Sequence, residues 1–285
     1  MTAAGFQPQG FVTMFEKLQQ AARLNDTGAF PYLRTHPMTT ERAADMQARQ
    51  QLVPRTPVPL TLEHQMVAGR AKIISNPGVD ALRGAVSEAE GEGLASQPPA
   101  RQAGILYAGT LAAARLRDAA TTSRLQARLD AVVAGNPVAQ RLARLLAAEI
   151  AQGQQDWPRV LQLVDTNSER RPEVLLTAQA WTRTGRAKDA AQRLQSWVAA
   201  RPRDATAWQL LAAAYQGEGQ ALRAVRAEAE SRVAQLDYPA ALDRFRAAQD
   251  MVRRGQGGGD YIEASIIDTR ARQVESLARE QALER

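Results

Sequence analysis

The 285-residue chain has no cysteine, only two histidines and three lysines, and 5% aromatic residues. The lack of cysteine excludes disulfides and thiolate metal ligands. The scarcity of aromatics leaves few side chains on which nucleic-acid bases stack, although the net charge is +6. The arginines are scattered among acidic residues along the whole chain, which is typical of solvated helix faces. We therefore predict no nucleic-acid partner.

Long apolar runs are also missing. No stretch approaches the roughly 20 residues that span a bilayer, so we predict no membrane span. The chain starts Met1-Thr2-Ala3-Ala4-Gly5, without a charged segment followed by an apolar core. This start predicts no signal peptide in the chain as written.

Motifs that carry catalysis are absent. Neither His36 nor His64 belongs to an H-E-x-x-H helix, which supplies two zinc ligands and a general base. The G-x-S-x-G elbow, the Walker loop and the G-x-G-x-x-G fingerprint are missing as well. A Ser-His-Asp set gathered from distant positions stays open. We predict no catalytic residue and no cofactor in this chain.

Alanine, leucine and arginine are abundant, and these residues favour helices because they lose little side-chain entropy there. Strand-type runs of Val, Ile, Tyr and Thr do not occur. From Leu60 onward the pattern is helix, short turn, helix. The composition predicts an all-α fold, and its small residues suit helices that pack closely.

Four prolines each stand just before a new helical stretch. They lie at positions 137, 172, 202 and 239, and the intervals of 35, 30 and 37 residues average 34. A tetratricopeptide (TPR) repeat has about 34 residues. The spacing predicts a TPR-like α-α solenoid of antiparallel helix pairs, and the alternative is an ordinary bundle of Ala-rich helices.

The residue pattern supports repeats most strongly around Trp208. Trp208, Leu211, Ala212 and Tyr215 match the first helix of the TPR pattern, and Ala224 matches the small position of the second. Glu228 and Thr177 depart from the pattern. The matching positions upstream are Val174, Ala178, Trp181, Ala190, Leu194 and Pro202, then Ala148, Val160, Val164 and Pro172, and then Ala113, Leu116, Leu129 and Pro137. Polar positions on the first helices, Arg183, Gln209 and Gln216, are predicted to line a binding groove.

Composition changes divide the chain into four segments. Residues 1–51 are predicted to form two short helices joined by a loop, and residues 52–60 a Pro-rich linker. Residues 61–255 are predicted to form the TPR-like repeats, with degenerate leading repeats up to about residue 100. Residues 256–285 are predicted to form a Gly hinge and a last helix, which either caps the solenoid or folds back onto a partner domain.

The first segment carries an apolar stripe. Phe11, Met14, Phe15 and Leu18 fall on one helical face, which needs a partner surface. We predict that this stripe is a docking face. His36 lies on the loop between the two predicted helices, before a proline.

The N-terminal residues resemble a stretch of the bacterial BepA/YfgC-type zinc metalloproteases. The likeness lies in Ala4-Gly5-Phe6-Gln7-Pro8-Gln9-Gly10, Phe15-Glu16-Lys17-Leu18, Leu33-Arg34-Thr35-His36-Pro37 and Glu41-Arg42. The resemblance implies a periplasmic protease and chaperone in outer-membrane protein quality control. It also implies a TPR domain that contacts the outer-membrane assembly machinery and substrates. By matching position, His36 would lie near the zinc of the full-length family and regulate access to it.

The chain departs from this family at its catalytic part. Met1 falls downstream of the family's H-E-x-x-H helix and of its third ligand, a glutamate, so no peptidase activity is expected of this chain alone. We therefore expect a protein–protein interaction module. Two alternatives stay open: a non-catalytic part that completes a zinc metallopeptidase with a separately encoded catalytic segment, and a TPR scaffold unrelated to proteolysis.

Overall fold

A computed structural model describes residues 60–256 and 260–283, with isolated positions before them. The chain divides into two compact units, Met1–Thr61 and Leu62–Arg285. Within the described ranges the second unit contains twelve α-helices, one 3-10 turn and no strand, which confirms the predicted all-α class. The helices are α1 (Leu62–Ser75), α2 (Val79–Glu90), α3 (Pro99–Arg115), α4 (Ala119–Val132), α5 (Pro137–Gly153), α6 (Trp157–Leu163), α7 (Arg171–Arg183), α8 (Ala187–Ala200), α9 (Ala205–Gly217), α10 (Ala221–Ala234), α11 (Tyr238–Arg253) and α12 (Tyr261–Leu283).

Six of the turns between the described helices share one geometry. The residue before the next N-cap is left-handed, as at Gly185 with φ 81° and Gly219 with φ 73°. The following N–H then donates back into the last turn, and the Arg186 N–H lies 2.8 Å from the Trp181 carbonyl oxygen. Non-glycine residues adopt the same conformation in three turns: Arg117, Gln155 and Leu236.

Side-chain caps and prolines begin the helices. Asp carboxylate or Asn amide oxygens accept the third N–H of six helices, at Asp118, Asn136, Asp156, Asp204, Asp237 and Asp260. Pro137, Pro172 and Pro239 occupy the first two helical positions, where the missing N–H has no partner to lose. Pro202 lies three residues before α9.

The odd-numbered helices pack in a continuous row. α1, α3, α5 and α7 each contact the next odd-numbered helix, and each hairpin partner from α4 to α10 packs beside them. From α5 to α11 the odd-numbered helices begin at residues 137, 171, 205 and 238, spaced by 34, 34 and 33 residues. This neighbour-to-neighbour packing is that of a helical solenoid.

The residues that were predicted to pack around Trp208 lie in the core. Trp208, Leu211, Ala212, Tyr215 and Ala224 are buried in one cluster with the α7 and α8 residues of the preceding hairpin. Alanines dominate such positions, and their small side chains allow neighbouring helices to approach closely.

The leading helices pack through glycine. α1 lies mainly against α3 and only touches its sequence neighbour α2. A Cβ at Gly69 would lie 2.4 Å from the Gly104 carbonyl oxygen, and a Cβ at Gly109 would lie 2.4 Å from the Cβ of Ala89. Glycine is therefore what allows α3 to approach both α1 and α2.

The last helix covers the end of the row. The buried face of α12 carries Ile267, Ala271 and Val274, which share a core cluster with Phe245 of α11. Arg270 of α12 makes two parallel 2.7 Å hydrogen bonds to Glu230 of α10. α12 is therefore stacked on α10 and α11.

Candidate protein-binding surfaces

The three residues that were predicted to line a groove are all exposed, but no hydrogen bond within the described ranges joins Arg183 to the other two. Gln209 and Gln216 lie on α9, seven residues apart and so on one helix face. The Gln216 amide donates to Glu228 of α10 at 3.2 Å. The Arg183 guanidinium lies 5.6 Å from the ring centre of Trp157.

A second amide pair connects the first helices of adjacent hairpins. The Gln152 amide of α5 donates to the Gln179 amide oxygen of α7 at 2.6 Å, and both side chains are half-buried. With Gln209 and Gln216 included, side-chain amides lie on α5, α7 and α9, and each amide can both donate and accept hydrogen bonds.

The residues predicted in the N-terminal segment lie almost entirely outside the described ranges. Phe11, Phe15, Leu18 and His36 are not described, and Met14 is a helical residue with 44% of its surface exposed. The docking face and the regulatory histidine therefore stay predictions.

A groove of about 600 Å³ runs along α8, and sequence reasoning missed it. It is lined by Asn167, Glu169, Val174, Trp181, Arg186, Asp189, Gln192, Arg193, Ser196, Trp197 and Arg201. We call this the α8 groove. Its walls are α7, α8 and the segment that joins α6 to α7.

The α8 groove exists because α6 is short. The second helices α4, α8 and α10 have 14 residues each, whereas α6 has only seven. After α6 the Asp165 carboxylate accepts the Asn167 N–H at 3.0 Å, and the Ser168 hydroxyl accepts the Arg170 N–H at 3.2 Å. Such side-chain bonds compete with helix formation. The run Asp165-Thr166-Asn167-Ser168 was the signal that could have revealed the break.

Two tryptophans and three arginines form the floor and rim of the α8 groove. The guanidinium carbons of Arg186 and Arg193 lie 4.6 and 5.8 Å from the ring centre of Trp181, and that of Arg201 lies 3.9 Å from the ring centre of Trp197. These distances are those of cation–π contacts. A stacked guanidinium keeps its N–H groups in its own plane, where they remain able to bind carboxylates.

The polar contacts of these arginines are only partly made. The Arg186 Nε donates to Asp189 at 2.7 Å, and an Arg193 Nη donates to the Ser168 carbonyl oxygen at 2.6 Å. The Arg193 Nε is buried and has no hydrogen-bond acceptor among the described residues. An unmatched buried donor is rare, because it forfeits the hydrogen bond it would make to water.

A smaller groove of about 480 Å³ lies between the α3–α4 turn and the end of α5. Beside it the Arg70 guanidinium of α1 donates to the Glu149 carboxylate of α5 at 3.2 Å and to the Tyr107 hydroxyl of α3 at 3.4 Å. Burial raises the pKa of Tyr107. This cluster ties three odd-numbered helices together, so we assign it a structural role.

The described residues offer no donor set for a metal ion. Within residues 60–256 and 260–283 no group of three or more His, Asp or Glu side chains comes together. The zinc that the family resemblance implies is therefore assigned to no described residue. None of the helices in these ranges has the length and apolar character needed to cross a membrane.

The fold and its open grooves define an all-α repeat protein of the solenoid kind. No family model matches the chain, and no curated protein matches its sequence.

Proposed function

We propose that this chain is a TPR-type solenoid that holds a protein or peptide partner. The observation that carries the proposal is the row of first helices, which recur at 34-, 34- and 33-residue spacing and contact one another from α5 to α9. Stacked repeats of this kind form extended surfaces that repeat proteins use for binding. The buried set around Trp208 supports the TPR assignment, because it falls at the pattern's large and small packing positions.

The proposed partner surface is the exposed face of α7 and α9. Gln209 and Gln216 are exposed there, and the Gln179 amide is partly exposed on α7. Amide side chains donate and accept hydrogen bonds, so they match the N–H and carbonyl groups of an extended peptide or the polar face of a helix.

The likeness of residues 1–51 to BepA/YfgC-type zinc metalloproteases extends the proposal. It supports a periplasmic setting, a role in outer-membrane protein quality control, and the outer-membrane assembly machinery or a metalloprotease catalytic segment as partner. The residues that carry this extension, including Leu33-Arg34-Thr35-His36-Pro37, precede the described part of the chain.

Site-specific photo-cross-linking tests the partner surface. A photoreactive amino acid at position 209 or 216 is expected to give discrete adducts with a partner in cells. The same residue at Ser123, an exposed position on the second helix α4, serves as the control. Adducts of the same size and yield at all three positions would contradict a specific surface on α9.

Substitutions then separate binding from stability. Gln209→Arg with Gln216→Arg is expected to reduce adduct formation from a photoreactive residue at position 213 at least fivefold and to leave Tm unchanged, since both side chains are exposed. A lower Tm with unchanged adduct formation would contradict the assignment of Gln209 and Gln216 to the partner surface.

Elemental analysis tests the family extension. We expect no stoichiometric zinc in the purified chain and no casein hydrolysis, with or without a chelator. One zinc per chain together with chelator-sensitive cleavage would contradict the non-catalytic role.

A further inference from the structure

We propose that the α8 groove binds an acidic, extended segment of a partner protein. Its glutamate or aspartate carboxylates pair with Arg193 and Arg201, and the apolar parts of the segment lie against Trp181 and Trp197. This site rests on the proposed partner-binding function but lies on a different surface from Gln209 and Gln216.

The shape of the α8 groove fits a peptide chain. The second helices α4, α8 and α10 have 14 residues each, whereas α6 ends after seven. The missing turns leave about 600 Å³ of open space along α8. An open groove of that volume along a helix accommodates several residues of an extended segment.

Arg193 and Arg201 are held in place by contacts that leave some of their N–H groups without an acceptor among the described residues. Arg201 stacks on Trp197 at 3.9 Å and makes no ion pair within 4 Å among the described residues. Arg193 makes one hydrogen bond, to the Ser168 carbonyl oxygen, and its buried Nε has no acceptor in the described ranges. A carboxylate in the groove would accept hydrogen bonds from the terminal N–H groups of Arg201 and from those of Arg193 that do not bond Ser168.

Charge and chemistry favour a peptide over a nucleic acid. The lining holds three arginines against Glu169 and Asp189, and Asp189 already pairs with Arg186. The two acidic side chains would repel a continuous phosphate backbone, whereas a peptide can place single carboxylates between them. The tryptophans add apolar surface that carboxylate-bearing peptides can cover with their side-chain methylenes.

Fluorescence anisotropy with a defined probe tests the proposal. The probe is a fluorescein-labelled ten-residue peptide that alternates glutamate with alanine, and the matched peptide has glutamine for glutamate. The full chain is expected to bind the glutamate peptide at least tenfold more tightly. Arg193→Gln with Arg201→Gln is expected to weaken that binding at least tenfold.

The control keeps the net charge of the variant. Arg83 of α2 and Arg272 of α12 are exposed and lie outside the groove, so Arg83→Gln with Arg272→Gln removes the same charge elsewhere. We expect less than a twofold effect from this control. Equal weakening by the two double variants would mean non-specific attraction to a basic protein and would overturn the proposal.

Single substitutions guard against misfolding. Among the described residues, the Arg201 side chain makes a cation–π contact with Trp197 and no hydrogen bond or ion pair, so we expect Arg201→Gln to keep the fold, with Tm as the check. Arg201→Gln alone is expected to weaken the peptide about fivefold, and Arg201→Lys to recover only part of the loss, because lysine lacks the planar fork. Unchanged binding by Arg201→Gln would overturn the proposal, as would displacement of the peptide by inorganic phosphate at equal concentration.

The outcomes for the two surfaces are distinguishable. Retained cross-linking at position 209 without binding of the glutamate peptide overturns the α8 groove and leaves the partner surface on α9. Peptide binding that depends on Arg201, without cross-linking at position 209, overturns the partner surface on α9 and leaves the α8 groove.

Discussion

The two ends of the described solenoid are held together by different chemistry. At the leading end, α3 packs against α1 and α2 at Gly69, Gly104 and Gly109, which contribute no side-chain atoms of their own to the contact. At the trailing end, α12 joins α10 through Arg270–Glu230 and Arg226–Glu263, and both glutamates are buried. The comparison shows that one fold tolerates two kinds of helix contact.

The difference lies in what each contact requires. A glycine contact relies on backbone proximity and dispersion, and it fails when a single methyl group is added. A buried carboxylate needs its cation, because a lone buried charge is costly. The leading end is therefore sensitive to volume and the trailing end to charge.

Adding a methyl group at the leading end tests the volume requirement most strongly. Gly69→Ala is expected to lower the free energy of unfolding by about 3 kcal/mol, because the new Cβ meets a backbone carbonyl that cannot move alone. Gly84→Ala in α2, whose Cβ would meet nothing within 4 Å, is the control, and we expect it to stabilise the helix by about 0.5–1 kcal/mol. Urea denaturation measures both, and equal effects would contradict the close-packing account.

Removing a cation at the trailing end tests the charge requirement. Arg270→Met is expected to cost roughly 2–3 kcal/mol, less than a fully buried pair because Arg270 is about one-third exposed. Hydrogen exchange should become faster in α12 and stay unchanged in α1. Adding Glu230→Gln should recover much of the loss. Arg253→Met, which removes an exposed pair with Asp250, should cost at most about 0.5 kcal/mol.

Acid is expected to weaken the carboxylate contacts before the glycine contacts. Burial by itself raises the pKa of Asp204, but hydrogen bonds from Arg171, Trp197 and the Ala207 N–H outweigh it and lower the pKa from 3.8 to about 2. Asp204 therefore adds about 2 kcal/mol of stability above pH 4, and this is lost as the pH falls towards 2.

Unfolding measured between pH 2 and 7 checks the contribution of Asp204. The Asp204→Asn variant should show a smaller decline in stability between pH 4 and 2 than the unchanged chain. An identical decline in both proteins would remove Asp204 as a source of acid sensitivity.

Changes at the left-handed turn residues should have the smallest effect, because they alter one residue's backbone conformation and no helix contact. Leu236 adopts φ 61° with 62% of its surface exposed, and Leu236→Gly is expected to raise the free energy of unfolding by about 0.5–1 kcal/mol. Gly185→Ala, at φ 81°, is expected to lower it by about 1 kcal/mol. Thermal unfolding of the two variants should therefore shift in opposite directions.

Sequence patterns predicted the helices well where the signals were local. Pro137, Pro172 and Pro239 do stand at helix starts, and the residues around Trp208 are buried as expected. The region up to about residue 100 was predicted as degenerate repeats because its glycines and prolines interrupt the pattern. In the structure Gly69 is instead a packing residue of α1, which no local signal distinguishes from a helix-weakening glycine.

The candidate surfaces were predicted only in part. Gln209 and Gln216 are exposed on one face of α9, as helical periodicity implies, but Arg183 packs against Trp157. The α8 groove was missed because it depends on α6 being half the length of the other second helices. Hydrophobic periodicity predicts where helices form, and it does not reveal the space that a short helix leaves. Trp181 and Trp197 belong to different helices, so their shared groove follows from how α7 packs on α8.

The sequence by itself determined the all-α class, the helix starts at prolines and at Asp or Asn caps, and the 34-residue spacing. These follow from hydrogen bonds between residues four apart, from caps and from proline, all of which act within a few residues. The tertiary structure decided that α1 packs on α3, that Arg270 and Arg226 neutralise buried glutamates of other helices, and that a short α6 leaves a groove lined by Trp181 and Arg193. These contacts join residues far apart in the chain, and their stability depends on shape and charge that exist only once the helices have packed.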